Sequence, residues 1–304
     1  LTFPASEESE KLGIPFVCDT SSHPDLTERG YRTFFRVWPS DSMLCKQQLE
    51  FLKWAQQKTG VRVRKIALVH DDTAFGTGAA KWWRNWNSDP EIGGYEIVSD
   101  IAFTPGVADV SAEVMSLKAA NAEVVFFASS PAGDAILWMS SFKKYDVNLK
   151  AIISSGGFML PDYVKGMGKD GWYATARDFW SPDLLEISPK IKTLNEKFKA
   201  KTGKDLYLHP LSVHPTIQTI VKALEKAGST DPDKLVDALR AVEVGKEELV
   251  APWTGIRFDH KGQNVYAMNF IVQLMEDGKY HIIWPEDIAS RKVAFPMPTW
   301  SERR

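Results

Sequence analysis

Long apolar runs are missing from this 304-residue sequence, and none approaches the roughly 20 residues of a membrane-spanning helix. A field of positive charge is missing too, because 37 lysines and arginines are balanced by 39 aspartates and glutamates. We therefore predict neither a membrane span nor a nucleic-acid partner. Residues 1–4 show neither the basic start nor the apolar core of a signal peptide.

Metal-binding side chains are scarce. The two cysteines, Cys18 and Cys45, lack the number and spacing of a metal site. They are predicted to be free thiols, since one closes an apolar strand and the other begins a helix; a disulfide formed in an oxidising compartment is the alternative. The six histidines are scattered, and His209 and His214 lie around a proline break, which argues against zinc.

Motifs for nucleotides and for catalysis are also missing. There is no phosphate-binding Gly-Lys-Ser or Gly-Lys-Thr turn and no Gly-x-Ser-x-Gly elbow, and Phe75-Gly76-Thr77-Gly78 does not complete the dinucleotide fingerprint. We therefore predict no cofactor and no metal. The pair Asp71–Asp72 is compatible with an acid and base of an α/β enzyme, but helix capping by one member is the simpler interpretation.

The central feature that is present is a strand–loop–helix pattern over Lys65–Asn87. An apolar run, Ile66–Val69, stops at the polar residues 70–73, and an aromatic-rich helical segment follows. In α/β proteins such a loop lies outside the carboxyl end of the strand, where ligands usually bind.

The same alternation of strand and helix continues through the chain. It predicts an α/β fold with a mainly parallel sheet covered on both faces. The predicted strands are 14–17, 34–38, 66–69, 95–103, 124–128, 151–153, 172–179, 255–258, 268–275 and 279–284. The predicted helices are 6–12, one from about 40 to 58, 74–87, 109–120, 136–144, 189–201, 215–227 and one beginning at Asp231-Pro232. Glu276-Asp277-Gly278 is predicted to join the last two strands as a hairpin turn.

Loops with small hydroxylated residues, exposed amides and aromatics follow several predicted strands. Such loops bind small polar ligands through hydroxyl groups and backbone N–H groups, with aromatic rings over the apolar part. They are 20–22, 72–75, 129–133, 154–158 and 179–180. Each alone is typical of an ordinary turn, and their recurrence at one end of successive strands favours a binding site.

The sequence resembles type I periplasmic solute-binding proteins of the branched-chain amino acid class, which feed ABC importers. The segments that carry the resemblance are Leu-Thr-x-Pro-Ala-Ser at the start, Asp25–Tyr31, Phe35-Arg36, Asp41-Ser42, Ala67–Gly76, Leu117–Ala120, Ala223–Asp233 and Phe258-Asp259-x-x-Gly262-Gln263. The resemblance implies two α/β lobes joined by three hinge crossings that close on a solute. We expect one lobe over 1–39 and 181–266, and the other over 40–180 and 267–304.

The resemblance also implies permease subunits of an ABC importer as partners, and a periplasmic or membrane-tethered extracellular location. A sensor domain of the same fold is the alternative function. Members of this family begin with further strand–helix units, so we expect this chain to lack its N-terminal portion and its first lobe to be incomplete.

Carried over to this sequence, the family's site implies that Thr20, Ser21 and Ser22 hold the solute carboxylate. Phe75 stands where a tyrosine is common, which predicts apolar cover without a hydrogen bond. The remaining candidate ligand contacts are Asp72, Ser129, Ser130, Gly156, Phe158, Trp38 and Trp180.

One departure from the family concerns the solute's amino group. Amino-acid-binding members place an acidic residue where this chain has Ser155-Gly156-Gly157. A buried ammonium without an anionic partner is strongly unfavourable. Either Asp72 or Asp134 substitutes, or the solute is an organic acid, including an aromatic one, without an amino group.

Overall fold

The computed structural model describes residues 1–303. The helices are, in chain order, α1 (Thr2–Lys11), α2 (Asp41–Thr59), α3 (Ala74–Asn87), α4 (Ser111–Ala119), α5 (Ala132–Lys144), α6 (Pro161–Met167), α7 (Leu184–Ile187), α8 (Pro189–Thr202), α9 (Leu208–Ala227) and α10 (Pro232–Arg240). The strands are β1 (Phe16–Cys18), β2 (Phe34–Arg36), β3 (Lys65–Asp71), β4 (Glu96–Phe103), β5 (Val124–Ser129), β6 (Ala151–Gly156), β7 (Thr175–Asp178), β8 (Glu243–Gly245), β9 (Gly255–Arg257), β10 (Phe270–Leu274) and β11 (Tyr280–Trp284).

The chain divides into two compact units. The first unit comprises residues 1–44 and 184–269, and the second unit comprises residues 45–183 and the segment from Phe270 onward. The predicted lobe limits fall a few residues before each of these divisions. The assignment of lobes and of a hinge stays a prediction.

The second unit is built on a seven-stranded sheet in the order β11-β10-β7-β6-β5-β3-β4. β3 to β7 pair in parallel, and β10 lies antiparallel to both β7 and β11. Helices cover the central strands on both faces, and for this reason β5 is buried along its whole length and reads as an unbroken apolar run. The predicted parallel sheet and the terminal hairpin are confirmed.

One face of this sheet packs against α2 and α3. Trp83 is fully buried in this layer, and its indole N–H donates to Gln48 Oε1 at 2.9 Å. The amide of Gln48 donates in turn to the carbonyl of Ser154 at 3.0 Å, so a satisfied polar chain links the two helices to β6. The other face is aromatic, with Phe127 and Trp138 6.1 Å apart between ring centres.

The first unit contains less sheet. β1 and β2 form a parallel pair, and β8 and β9 an antiparallel pair. Helix α10 begins as its sequence predicts, because the carboxylate of Asp231 accepts from the backbone N–H groups of Asp233 and Lys234. Within residues 1–303, every helix is too short or too polar to cross a bilayer.

Several predicted elements are wrong in extent: the helix predicted over 6–12 begins at Thr2, the helix predicted over 136–144 begins at Ala132, and two further cases have a clear cause. The strand predicted over 172–179 is confined to β7, since Tyr173 adopts a positive φ of 71° that extended backbone cannot contain. The helix predicted to begin at Pro215 is α9, which begins seven residues earlier and holds Pro215 in its interior. His209 and His214 therefore share one helix, and burial lowers the pKa of His214.

Candidate ligand-binding site

The loop after β3 is organised around a buried carboxylate. Asp71 Oδ1 accepts from the hydroxyl of Thr73 at 2.5 Å, from the N–H of Thr73 at 3.2 Å and from the N–H of Gly76 at 3.0 Å. Its Oδ2 accepts from the N–H of Ser130 at 3.3 Å. A Cβ at Gly76 would lie 2.3 Å from the Asp71 carbonyl, so the helix can approach this closely only with glycine here.

This arrangement confirms the capping interpretation of the Asp71–Asp72 pair. Thr73 is the N-cap of α3, accepting from the Phe75 N–H, and Asp71 satisfies the neighbouring N–H groups. Asp72 is exposed and accepts from the Thr104 hydroxyl at 2.7 Å. Among residues 1–303 there is no group of three acidic, histidine or cysteine side chains that would suit a metal ion.

Phe75 lies in the first turn of α3 and is half-buried against the core of the second unit. The guanidinium carbon of Arg177, a buried residue of β7, lies 5.9 Å from the centre of its ring. The role of this ring as apolar cover for a solute stays a prediction.

The loop after β5 contains one buried and one exposed serine. The hydroxyl of Ser129 donates to Asp134 Oδ2 at 2.6 Å, and Asp134 Oδ1 accepts from the N–H of Gly106. Both oxygens of Asp134 are thus engaged, which weakens its candidacy as the partner of an ammonium group. Ser130 is exposed at the carboxyl end of the strand.

The loop after β6 approaches that of β5 closely. Gly156 has a positive φ of 71°, and a Cβ on it would lie 2.1 Å from the Ser129 carbonyl oxygen. Phe158 is fully buried, with its ring 5.1 Å from Phe127 and 4.7 Å from Tyr163. In this structure the Phe158 ring belongs to the core of the second unit, and its predicted role as a ligand wall has no exposed surface to support it.

A further acidic residue, which the sequence did not single out, lies at the end of β7. Asp178 is 5% exposed, and its Oδ1 accepts from the N–H groups of Phe179 and Trp180 at 2.6 and 3.1 Å. Burial raises the pKa of this carboxyl to about 7, against the two backbone hydrogen bonds that favour the charged form. Trp180, a predicted contact, follows it and is half-buried.

In the first unit, the loop after β1 contains the predicted carboxylate contacts. The hydroxyl of Thr20 donates to Asp19 Oδ1 at 3.3 Å, and that of Ser21 lies 2.6 Å from the Thr2 hydroxyl. The hydroxyl of Ser22 has no hydrogen-bond partner among the described residues. All three residues are half-buried.

At residues 21–23 of this loop the carbonyl groups are bound and the N–H groups are open, whereas the Thr20 N–H donates to Asp19 Oδ1 at 2.8 Å. Arg36 donates to the carbonyls of Ser21 and His23 at 3.3 and 2.6 Å, and the Asp41 N–H donates to the carbonyl of Ser22 at 2.7 Å. Within residues 1–303, the N–H groups of Ser21, Ser22 and His23 donate to no acceptor. Three consecutive open amides are a ready site for an anion.

Trp38, predicted as a ligand wall, is 4% exposed and packs edge-on against Trp253 with ring centres 6.1 Å apart. The indole N–H of Trp253 donates to the carbonyl of Met268 at 2.5 Å. The two rings thus stabilise the first unit, and contact of Trp38 with a solute stays a prediction. Cys18 and Cys45 are both buried thiols and are not joined in a disulfide, as predicted.

Comparison with known proteins identifies the family. Residues 3–279 match the family model described as periplasmic binding protein, and the chain belongs to this family. The "Leu/Ile/Val-binding protein homolog 8" of Brucella abortus is 25% identical over 298 residues, which cover 96% of this chain and 72% of the relative.

Two other comparisons agree with this membership. The "Leucine-, isoleucine-, valine-, threonine-, and alanine-binding protein" of Pseudomonas aeruginosa is 26% identical over 262 residues, covering 86% of this chain and 65% of the relative. The crystal structure of a leucine-binding protein from Thermotoga maritima superposes with a TM-score of 0.76 at 17% identity, over 91% of this chain and 74% of that one, which shows a shared fold. The expectation that this chain lacks an N-terminal portion stays a prediction.

Proposed function

We propose that this chain is the solute-binding component of an ABC importer and that its solute carries a carboxylate group. Its partners are then the permease subunits of that importer, its place of action is the periplasm or the outer cell surface, and it performs no catalysis. Family membership supports this proposal, together with relatives whose names describe the binding of leucine, isoleucine and valine.

The observation that carries the proposal is the loop after β1. A carboxylate needs several hydrogen-bond donors, and N–H groups are strong donors to a charged oxygen. The N–H groups of Ser21, Ser22 and His23 and the Ser22 hydroxyl meet no acceptor within the described residues. Phe75 and Trp180 of the second unit are half-buried rings, and their contact with the solute stays a prediction.

The proposed solute belongs to one of two classes, which differ in whether it carries an amino group beside its carboxylate. If the solute is an amino acid, Asp72 is the predicted partner that remains for its ammonium group, because both oxygens of Asp134 are already engaged and Asp72 is exposed. The second candidate is an organic acid without an amino group, which the absence of acidic residues over 155–157 favours.

A thermal-shift screen of the chain with L-leucine, 4-methylpentanoate and benzoate tests the proposal and separates the two classes. A solute present at about 100 times its Kd adds about 2.7 kcal/mol of stability, which is about 4 °C in Tm at an unfolding entropy of about 2.1 cal/mol/K per residue. If leucine alone raises the Tm, the solute is an amino acid. If 4-methylpentanoate or benzoate raises the Tm, the solute is an organic acid. Stabilisation by neutral sugars and by none of these acids would contradict the proposal, and conversion of the ligand on incubation would contradict its non-catalytic part.

A further inference from the structure

Arg36, the last residue of β2, is fully buried, and all its hydrogen bonds go to neutral acceptors. Its Nε donates to Gln263 Oε1 at 2.7 Å, and its Nη2 donates to the hydroxyl of Thr27 at 3.0 Å. Its Nη1 donates to the two loop carbonyls described above. In the described part of the chain, no carboxylate forms an ion pair with this guanidinium.

Three separate segments of the sequence converge on this side chain. The loop at residues 20–23 contributes its carbonyls, the segment 25–31 contributes Thr27, and the turn that begins at Asp259 contributes Gln263. Gly262 in that turn has a positive φ of 78°, and a Cβ there would lie 2.0 Å from the Phe34 carbonyl oxygen. The Gly262 carbonyl accepts from the Arg36 N–H at 2.7 Å, so the glycine allows the turn to lie against β2.

The contacts of Arg36 determine which way the loop peptides face. In a trans peptide the C=O of one residue and the N–H of the next point in opposite directions. Because the Ser21 carbonyl points at Arg36, the Ser22 N–H points away from it. The His23 carbonyl is also bound by Arg36, and the residue that follows is Pro24, which has no N–H.

The charge of Arg36 persists despite its burial. Burial lowers the pKa of the guanidinium to about 10, which leaves it protonated at neutral pH. The charges that oppose this lowering of the pKa are those of Cys18, Asp41, Asp259 and Glu28, and the hydrogen bonds of the Arg36 side chain go to none of them. A positive charge therefore lies behind a loop whose open groups are all donors. An anion in front of the loop is attracted by both.

We propose that Arg36 is the positioning residue of an anion-binding loop: by binding the carbonyls of Ser21 and His23 it holds the loop with the Ser22 N–H turned away from it, and it supplies the charge that favours a monocarboxylate. This inference rests on the proposed function and names the residue that sets its preference for acids. It also assigns a purpose to three segments, 25–31, 35–36 and 258–263, which contribute the buried side chains of Thr27, Arg36 and Gln263.

The test uses acetate, which is a carboxylate with almost nothing attached, and acetamide as its neutral counterpart. The backbone amide resonances of ¹⁵N-labelled protein are followed during titration with each. The unaltered chain should give saturable shifts at Ser21, Ser22 and His23 with acetate and none with acetamide. No saturable shift with acetate would overturn the inference.

Three variants separate charge from structure. Arg36→Gln should weaken acetate binding at least about tenfold, since a unit charge within several ångströms in a partly buried site contributes at least that much. Gln263→Glu keeps the Arg36 contacts but places a carboxylate on its Nε, and should also weaken acetate. Arg29→Gln is the control: Arg29 belongs to the same unit, donates to the Ser6 hydroxyl and does not contact the loop, so acetate affinity should stay unchanged.

Equal acetate affinity in Arg36→Gln and Arg29→Gln would overturn the role of Arg36. If Arg36→Gln does not fold, unchanged affinity in Gln263→Glu overturns it instead. Saturable acetate binding with no response to any of the larger acids would contradict the proposed function and leave the anion loop supported, so the two failures can be told apart.

Discussion

The loop after β3 and the loop after β1 have similar sequences and opposite electrostatics. Both follow a strand, and both combine an aspartate with hydroxylated residues. In the loop after β3, the buried carboxylate of Asp71 accepts from the N–H groups of Thr73, Gly76 and Ser130. In the loop after β1, the buried cation Arg36 binds the carbonyls of Ser21 and His23, and the N–H groups of residues 21–23 stay open.

The difference teaches that the sign of the buried charge decides whether a strand-end loop is closed or open to a ligand. A buried carboxylate accepts from backbone N–H groups and stabilises a turn. A buried cation donates to backbone carbonyl groups and leaves N–H groups available to an anion. Four predictions follow from this comparison, beginning with the largest expected effect.

Burial disfavours the charged form of the Asp178 carboxyl in the second unit, and its two backbone hydrogen bonds offset this only in part. Its pKa rises from 3.8 to about 7 on folding, so its contribution to stability is fully present below about pH 4 and is lost as the pH rises to about 7. Asp178→Asn removes this loss and should stabilise the chain at pH 8 by up to about 4 kcal/mol, with no gain at pH 4. Urea unfolding of both proteins at the two pH values measures the difference, and equal gains at both would contradict the prediction.

Asp71→Ala should destabilise the second unit by about 3 kcal/mol, because it leaves the N–H groups of Gly76 and Ser130 without acceptors. Asp72→Ala is the matched control, since Asp72 is exposed and loses only its bond from Thr104. The midpoints of urea unfolding report both. If the two variants were equally stable, the loop after β3 would not be organised by Asp71.

Phe75→Ala should weaken solute binding about tenfold while the fold is kept, because the half-buried ring supplies apolar cover. Phe75→Leu retains most of that cover and should bind almost normally. Calorimetric titration with whichever acid is active in the thermal screen measures both. Unchanged affinity in Phe75→Ala would remove the loop after β3 from the site altogether.

The smallest expected effect concerns Ser21 and Ser22 in the loop after β1, which should respond differently to replacement by alanine. Ser22→Ala removes a hydroxyl with no partner among the described residues, so it should weaken solute binding about fivefold without changing stability. Ser21→Ala removes the contact with Thr2 and should show the reverse pattern. The pair is compared by calorimetry and by thermal unfolding, and the opposite assignment of effects would contradict the contacts described here.

The α/β fold with its parallel sheet could be predicted from the sequence because the continuity of an apolar run reflects the burial of its strand. β3 and β5 are buried on both faces, so their runs are continuous and identify a parallel sheet. The helix start predicted at Pro215 is wrong because proline favours the first turn of a helix, whereas in the structure it lies inside α9.

The candidate site was predicted only in part, for a physical reason. The loop at residues 20–22 is recognisable by its small polar residues, but its orientation depends on Arg36, Thr27 and Gln263, which meet across more than 200 residues of sequence. Asp178 was missed because nothing in its neighbourhood marks it as buried: its environment comes from β10, which follows much later. For the loop at residues 20–22 the sequence does contain one signal, which is Arg36 at the end of an apolar strand.

The most direct test of the central claim is calorimetric titration with three matched pairs: L-leucine and leucinamide, 4-methylpentanoate and its amide, and benzoate and benzamide. The open N–H groups of residues 21–23 and the charge of Arg36 both act on the carboxylate. We predict that in at least one pair the acid binds, and that it binds at least about 100-fold more tightly than its amide, because two charge-assisted contacts are lost together. Equal affinity for the acid and the amide, or no binding by any acid, would contradict the account.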